Sequence, residues 1–102
     1  MKHIRTAAAG GFFRVVGETP RSQAATMILG AGQTTGGDDN VHARADQWLY
    51  VVSGTGRATV QGRRVALAAG SLLLIEAGEP HEIANDGGEP LVTINVYAPP
   101  AY

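Results

Sequence analysis

The chain consists of short apolar runs separated by glycine and proline. Its 14 glycines and five prolines leave no stretch of ten or more residues with apolar positions at helical spacing. Runs of four to eight residues bounded by turn-forming residues are instead typical of β-strands. Eight such runs predict an all-β sandwich or barrel: Phe12–Val16, Ala24–Ala31, Gln47–Ser53, Arg57–Gln61, Arg64–Leu67, Leu72–Ile75, His81–Asn85 and Leu91–Tyr97.

The run Arg57–Gln61 alternates in the manner of a strand that is buried on one side. Ala58 and Val60 share one face, and the polar residues share the other. Gln61–Arg63 provides turn residues before the next run, so the two runs are predicted to form a β-hairpin.

Two other runs, Trp48–Val52 and Leu72–Ile75, are apolar on both faces. Because a strand of this kind is covered twice, we expect the core to cover one face and another sheet or a subunit to cover the other. The stretches Gly36–Asn40 and Asn85–Pro90 are predicted to be loops from their glycine, asparagine and aspartate content.

Length and composition restrict the class of protein. The 102 residues suit one domain, which we expect to span residues 1–102. No window approaches the roughly 18 apolar residues of a membrane span, and the N-terminus lacks the apolar stretch of a signal peptide. There is no cysteine, which excludes disulfides and thiolate metal sites. We therefore expect a soluble, cytoplasmic protein with no membrane partner.

The charge pattern restricts the class of partner. The formal net charge is −1, from eight basic and nine acidic residues, and the only local basic cluster is Arg57, Arg63 and Arg64 in the predicted hairpin. Because nucleic-acid binding needs a basic face, no nucleic-acid partner is expected. Charged residues make up only 17% of the chain, which is low for a monomer that must cover its whole surface. Burial of one face in a homodimer would explain this, so a homodimer is expected.

Two polar segments, Gly36–Gly54 and Gly70–Asn85, each carry a histidine next to a strand-like run. Over roughly residues 27–97 the chain resembles the cupin superfamily, whose two sequence signatures these segments follow. The residues that fall on the signatures are Gly36, His42 and Gly54 in the first and Gly70, Gly78, His81 and Asn85 in the second. The resemblance implies a small single-domain cupin: a jelly-roll β-barrel, often a homodimer, with a small-molecule pocket inside the barrel.

The resemblance also implies a metal site. In metal-binding cupins the ligands are two histidines and a glutamate or glutamine of the first signature and the histidine of the second. By position these are His42, Gln47 and His81, which implies a divalent transition metal, with Zn, Ni, Fe and Mn left open. The remaining ligand position holds Arg44, whose guanidinium cannot ligate. Asp46 is the nearest replacement, but strand alternation turns it away from Gln47 unless a bulge near Ala45 turns it inward.

Arg44 has two interpretations. As a functional residue it would bind a ligand carboxylate or phosphate through its planar fork of donors. As a structural residue it would pair with Asp38, Asp39 or Asp46 at the rim of the pocket, where such pairs contribute little.

Three further residues are ligand-binding candidates. Tyr50 and Tyr97 carry rings that can stack on a ligand, and Met27 can adapt its side chain to the pocket wall. Two functions are then open. One is small-molecule binding with metal-assisted chemistry of the isomerase, lyase or dioxygenase type. The other is a metal-free binding or regulatory module for a sugar or carboxylate, with Arg44 as the anion anchor.

Overall fold

All eight predicted strands are present, all but one with shifted ends, in the computed structural model, which describes residues 1–36 and 41–102. The predicted loop Gly36–Asn40 falls largely on residues 37–40, which lie outside the described residues. A short 3-10 helix, Thr6–Ala8, precedes the strands, and no helix in the described ranges is long and apolar enough to cross a membrane. The strands are β1 (Phe13–Thr19), β2 (Ser22–Leu29), β3 (Asp46–Ser53), β4 (Thr55–Val60), β5 (Arg63–Ala68), β6 (Leu72–Ile75), β7 (His81–Ala84) and β8 (Leu91–Ala98).

The strands form two antiparallel sheets. One has five strands in the order β1-β2-β8-β3-β6, and the other has three in the order β5-β4-β7. Apolar side chains from both sheets meet in a shared core, and five large ones are at most 1% exposed: Leu29, Leu49, Ile75, Ile83 and Leu91. Two such sheets form a jelly-roll barrel, so the predicted all-β fold class is confirmed.

The paired strands β3 and β8 carry polar side chains into the barrel. Along both strands buried and less buried residues alternate, as the pleat requires. The register places Gln47 opposite Tyr97 and Leu49 opposite Asn95, and all four are buried, as is Thr93. Amide and hydroxyl groups therefore share the barrel interior with the apolar core.

The predicted hairpin between β4 and β5 is confirmed. Its two-residue turn consists of Gln61 and Gly62, which have positive φ values of 50° and 78°, as a type I′ turn requires. β2 ends at Leu29, earlier than predicted, because the Gly30 amide donates to the side chain of Gln33 and the chain turns there.

The loop predicted at Asn85–Pro90 is also present, between β7 and β8. Asn85 Nδ2 donates to the carbonyl oxygens of Leu29 and Glu89, at 2.8 and 2.7 Å. Its Oδ1 accepts from the amide of Gly87, so this buried side chain closes the turn.

The outward faces of β3 and β6 are exposed in the single chain. Trp48, Tyr50 and Val52 on β3 are 43%, 44% and 47% exposed, and Leu72 and Leu74 on β6 are 62% and 37% exposed. The sequence predicts a second cover for these strands, and no other sheet of the described residues provides it. The predicted second cover is therefore absent within the described residues of the single chain.

Gly56 lies on β4, where the two sheets approach each other. A Cβ atom added there would come within 2.6 Å of both the Ala84 carbonyl oxygen and the Leu91 side chain. We predict that Gly56→Ala lowers the free energy of unfolding by about 1–3 kcal/mol, the usual cost of overpacking, as measured by urea denaturation. Gly88→Ala is the control, because its Cβ would meet open space. Equal stability of the two variants would contradict this packing.

Candidate functional site

A cavity of about 230 Å³ lies in the barrel and is lined by residues of both sheets. Three predicted site residues form its polar corner: His42 before β3, Gln47 on β3 and His81 at the start of β7. Two more predicted residues, Met27 and Tyr97, form part of its wall. The fold thus brings five of the seven candidate residues to one cavity.

The other two candidates, Arg44 and Tyr50, lie outside this cavity. Tyr50 comes three residues after the inward-pointing Gln47, so the pleat of β3 turns it to the outer face. Arg44 precedes β3, is exposed and lines a separate surface depression next to Pro100. The structure therefore does not bring these two residues to the ligand cavity. Two of the suggested partners of Arg44, at positions 38 and 39, lie outside the described residues.

His81 has a defined tautomer. Its Nδ1 lies 2.9 Å from the carbonyl oxygen of Glu79, and because a carbonyl only accepts, Nδ1 carries the proton. The Nε2 of the neutral ring then keeps a free lone pair. His81 is buried and lines the cavity, and metal-bound histidines are commonly oriented through their other nitrogen in this way.

His42 lies beside His81, with ring centroids 5.1 Å apart. Burial lowers the pKa of His42, and the neighbouring His81 lowers it further. The Gln47 amide, which lies close to the ring but outside hydrogen-bonding geometry, acts in the opposite direction. The net shift favours the neutral ring, which has one nitrogen able to accept a hydrogen bond or bind a metal.

A buried hydrogen-bond chain orients the Gln47 side chain. Thr93 Oγ1 donates to the Met27 carbonyl oxygen at 2.9 Å, so it accepts from Asn95 Nδ2, 3.0 Å away. Asn95 Oδ1 is then free to accept from Gln47 Nε2, at 2.9 Å. Every direction in this chain follows from the Met27 carbonyl, which can only accept. Of the side-chain amide oxygens and nitrogens of Asn95 and Gln47, only Gln47 Oε1 takes no part in these hydrogen bonds.

Gln47 Oε1 is buried and has no hydrogen-bond partner among the described residues. An unsatisfied buried oxygen costs roughly 1–3 kcal/mol, and native proteins seldom leave one without a water, ion or ligand. Its amide belongs to the same cavity corner as His42 and His81. His81 Nε2, Gln47 Oε1 and a nitrogen of His42, whose Nε2 lies 3.4 Å from the Tyr102 hydroxyl, therefore form the set that could bind a metal or a small molecule.

No carboxylate in the described part of the chain lines this corner. In residues 1–36 and 41–102, no three side chains of histidine, cysteine, aspartate or glutamate lie close enough together to hold a metal. Asp46 is exposed, and its Oδ1 accepts from the Ala77 amide at 3.0 Å, so it faces away from Gln47 as strand alternation predicts. A metal in this corner would be held by uncharged side chains.

Several residues around the cavity were not predicted from the sequence. Thr93 and Asn95 had a usable signal, because alternation along β8 places these polar residues at inward positions. No sequence pattern pointed to Tyr102, because it follows two prolines that end the strand pairing. Only the tertiary fold brings it back to the barrel. The lining residues that sequence reasoning missed are Phe12, Phe13, Thr35, Ile83 and Tyr102.

The chain is similar to known proteins over most of its length. The family model for the cupin domain matches residues 25–97. A solved structure from Bacillus halodurans is 27% identical, covers 95% of this chain and 76% of its own, and has a TM-score of 0.87. A Thermus thermophilus structure (23% identity, 97% and 98% coverage, TM-score 0.87) shares the fold. A predicted oxalate decarboxylase from Thermotoga maritima is 27% identical, with 76% and 66% coverage and a TM-score of 0.71. Among curated proteins nothing matches the sequence.

The hydrogen-bond chain behind Gln47 can be tested with two threonines. Thr93→Val removes a hydroxyl that both donates and accepts, so we predict a loss of about 1–3 kcal/mol in the free energy of unfolding, measured by urea denaturation. Thr26→Val is the matched control, because Thr26 is equally buried and its hydroxyl has no partner among the described residues. If Thr93→Val and Thr26→Val are equally stable, the chain does not form as described.

Proposed function

Because the chain belongs to the cupin family, we propose that it binds a small molecule in the barrel cavity at a divalent transition metal held by His42, Gln47 and His81. The observation that carries this proposal is the buried, unpartnered Gln47 Oε1 in the same corner as two histidine rings. A bound metal would polarise a ligand oxygen as a Lewis acid or, if it is iron, activate dioxygen. The proposal covers chemistry of the isomerase, lyase or dioxygenase type.

The three proposed ligand atoms suit such an ion. His81 offers Nε2 because Glu79 engages its Nδ1, and Gln47 offers Oε1 because Asn95 engages its Nε2. Metal–nitrogen bonds of about 2.0–2.1 Å allow two imidazoles with centroids 5.1 Å apart to share one ion. Nitrogen and oxygen donors are compatible with Zn, Ni, Fe or Mn. Because all three donors are neutral, the ligand would supply the negative charge that offsets the ion.

The competing function is a metal-free module that holds a sugar or carboxylate through Arg44. The position of Arg44 does not support it, because this side chain lines a surface depression and not the barrel cavity. An anion held by Arg44 would lie outside the barrel, away from Gln47 and His81. We therefore prefer the metal-assisted function.

Metal binding can be measured by competition with a chromophoric chelator, using Zn²⁺, Ni²⁺ and Mn²⁺ in turn. We predict that His81→Ala weakens binding by more than about tenfold, since losing even an outer partner of a ligand costs 10–100-fold. Gln47→Glu should strengthen it, because a carboxylate offsets the charge of the ion. Arg44→His is the control and should leave the affinity unchanged, because position 44 lies outside the cavity. A wild-type protein that binds none of these ions, or a tight site that survives His81→Ala, would contradict the proposal.

We also propose that the protein forms a homodimer through an outer apolar face of the five-stranded sheet. The register places Trp48 beside Leu74 and Val96, so the face is continuous across β6, β3 and β8. Monomers rarely expose apolar patches larger than about a few hundred Å², and an uncharged patch can pack against its own copy. The face comprises six residues that are each at least 36% exposed: Trp48, Tyr50, Val52, Leu72, Leu74 and Val96.

Light scattering tests this interface. We predict that wild-type protein is a dimer and that Trp48→Lys and Leu72→Lys are monomers. A dimer of either variant would have to bury an unpaired ammonium group in the apolar contact. Val65→Lys is the control: Val65 is 47% exposed but lies on β5, in the other sheet. A monomeric wild type, or a dimer that persists in both lysine variants, would refute the interface.

A further inference from the structure

One wall of the cavity is built from aromatic rings. Phe13 on β1, Tyr97 on β8 and Tyr102 pack together: the ring centroids of Phe13 and Tyr102 are 4.7 Å apart, and those of Tyr97 and Tyr102 are 5.2 Å apart. His42 continues this aromatic wall, because its ring lies 5.1 Å from Tyr97 and 5.4 Å from Tyr102. The aromatic wall and the polar corner therefore meet at His42.

A buried side chain holds Tyr102 in the aromatic wall. Gln23 is 1% exposed, and its Oε1 accepts from the backbone amides of Ala101 and Tyr102 at 3.1 and 3.0 Å. Gln23 Nε2 donates to the Tyr102 carbonyl oxygen at 2.7 Å. Tyr102 is nevertheless 60% exposed, so it is fixed in position while part of its side chain is free to contact a ligand.

The cavity contains no charged partner for an anion. The chain has eight basic residues, all within the described ranges, and none of them lines the cavity. No acidic residue in those ranges lines it either. A carboxylate or phosphate that enters such a cavity loses hydration without gaining a charged hydrogen-bond donor. Without a metal, the cavity therefore favours an uncharged molecule.

Two groups of the polar corner can accept hydrogen bonds from a ligand. His81 Nε2 and Gln47 Oε1 are both acceptors, since the other nitrogens of the two side chains are already engaged. A hydroxyl group matches them, whereas a carboxylate or phosphate oxygen, which also only accepts, does not. The size of the cavity fits a ring, because a cavity of about 150 Å³ holds benzene and this one measures about 230 Å³. Room is left for one or two ring substituents.

We propose that the cavity binds small phenolic compounds and that Tyr102 sets this specificity. The ring of the ligand lies against the aromatic wall, and its hydroxyl groups donate to Gln47 Oε1 and His81 Nε2. This inference deepens the proposed function and rests on it for the metal-bound form, where a phenolate oxygen supplies the negative charge that the three neutral metal ligands lack. Tyr102 acts through contact between its ring and the ring of the ligand.

Isothermal titration with catechol tests the proposal in metal-free and in Zn²⁺-loaded protein. Cyclohexane-1,2-diol, which keeps the two hydroxyls but lacks the aromatic ring, and oxalate, which is a small anion, are the comparison ligands. In metal-free protein catechol should bind about two- to tenfold more tightly than the diol, the range expected for an aromatic contact, and oxalate should bind more weakly than either. Oxalate binding as tight as catechol binding in the metal-free protein would overturn the proposal.

Tyrosine variants locate the contact. Tyr102→Ala should weaken catechol binding about two- to tenfold, and Tyr102→Phe, which keeps the ring, should retain it. Val65→Ala is the control, because Val65 is exposed and lies outside both the cavity and the proposed dimer face, and it should leave catechol affinity unchanged. An unchanged affinity in Tyr102→Ala, or a loss in Tyr102→Phe equal to that in Tyr102→Ala, would overturn the role of the Tyr102 ring.

Measurements on the metal-free and the Zn²⁺-loaded protein test this inference and the proposed metal site separately. If Zn²⁺ does not bind but catechol binds the metal-free protein and depends on Tyr102, the phenolic specificity stands and the metal site fails. If Zn²⁺ binds at His81 but catechol binds neither form, the metal site stands and the phenolic specificity fails.

Discussion

The carbonyl oxygen of Met27 can accept hydrogen bonds but cannot donate them, and the polar interior of the barrel depends on this constraint. It makes the Thr93 hydroxyl a donor, which in turn fixes the amide of Asn95 and then the amide of Gln47. This series of hydrogen bonds runs across β2, β8 and β3, which are neighbours in the five-stranded sheet. Because polar groups in a low-dielectric interior are costly when unpaired, the orientation of Gln47 is set by the protein itself before any ligand arrives.

The cavity joins two kinds of surface that have separate structural origins. The polar corner comes from residues within or next to strands, where pairing and pleat fix the direction of Gln47 and His81. The aromatic wall depends in addition on Tyr102, which lies beyond the last strand and is held by Gln23. The cavity has hydrogen-bond acceptors at one end and aromatic rings at the other. It therefore suits a flat apolar molecule that carries a hydroxyl group.

Local sequence patterns were sufficient for the strands but only partly for the site. Turn residues between apolar runs marked all eight strands, since strand formation depends on local alternation and on breaks such as Gln61–Gly62. For the site, the resemblance to the two cupin signatures pointed to His42, Gln47 and His81. The same alternation, applied to Tyr50, would have excluded it, because it lies an odd number of residues from the inward-pointing Gln47. The placement of Tyr102 and the direction of the Gln47 amide depend on contacts between residues far apart in the chain, which no local pattern encodes.

The proposed metal site requires that the fold presents Gln47 Oε1, together with two histidine nitrogens, to the cavity. A crystal structure of zinc-soaked protein, with anomalous data collected at the zinc edge, tests it most directly. We predict one anomalous peak within bonding distance of Gln47 Oε1, His81 Nε2 and a nitrogen of His42. Gln47 Nε2 should still donate its hydrogen bond to Asn95 Oδ1. A peak elsewhere, no peak at all, or a Gln47 amide turned so that its nitrogen faces the cavity would contradict it.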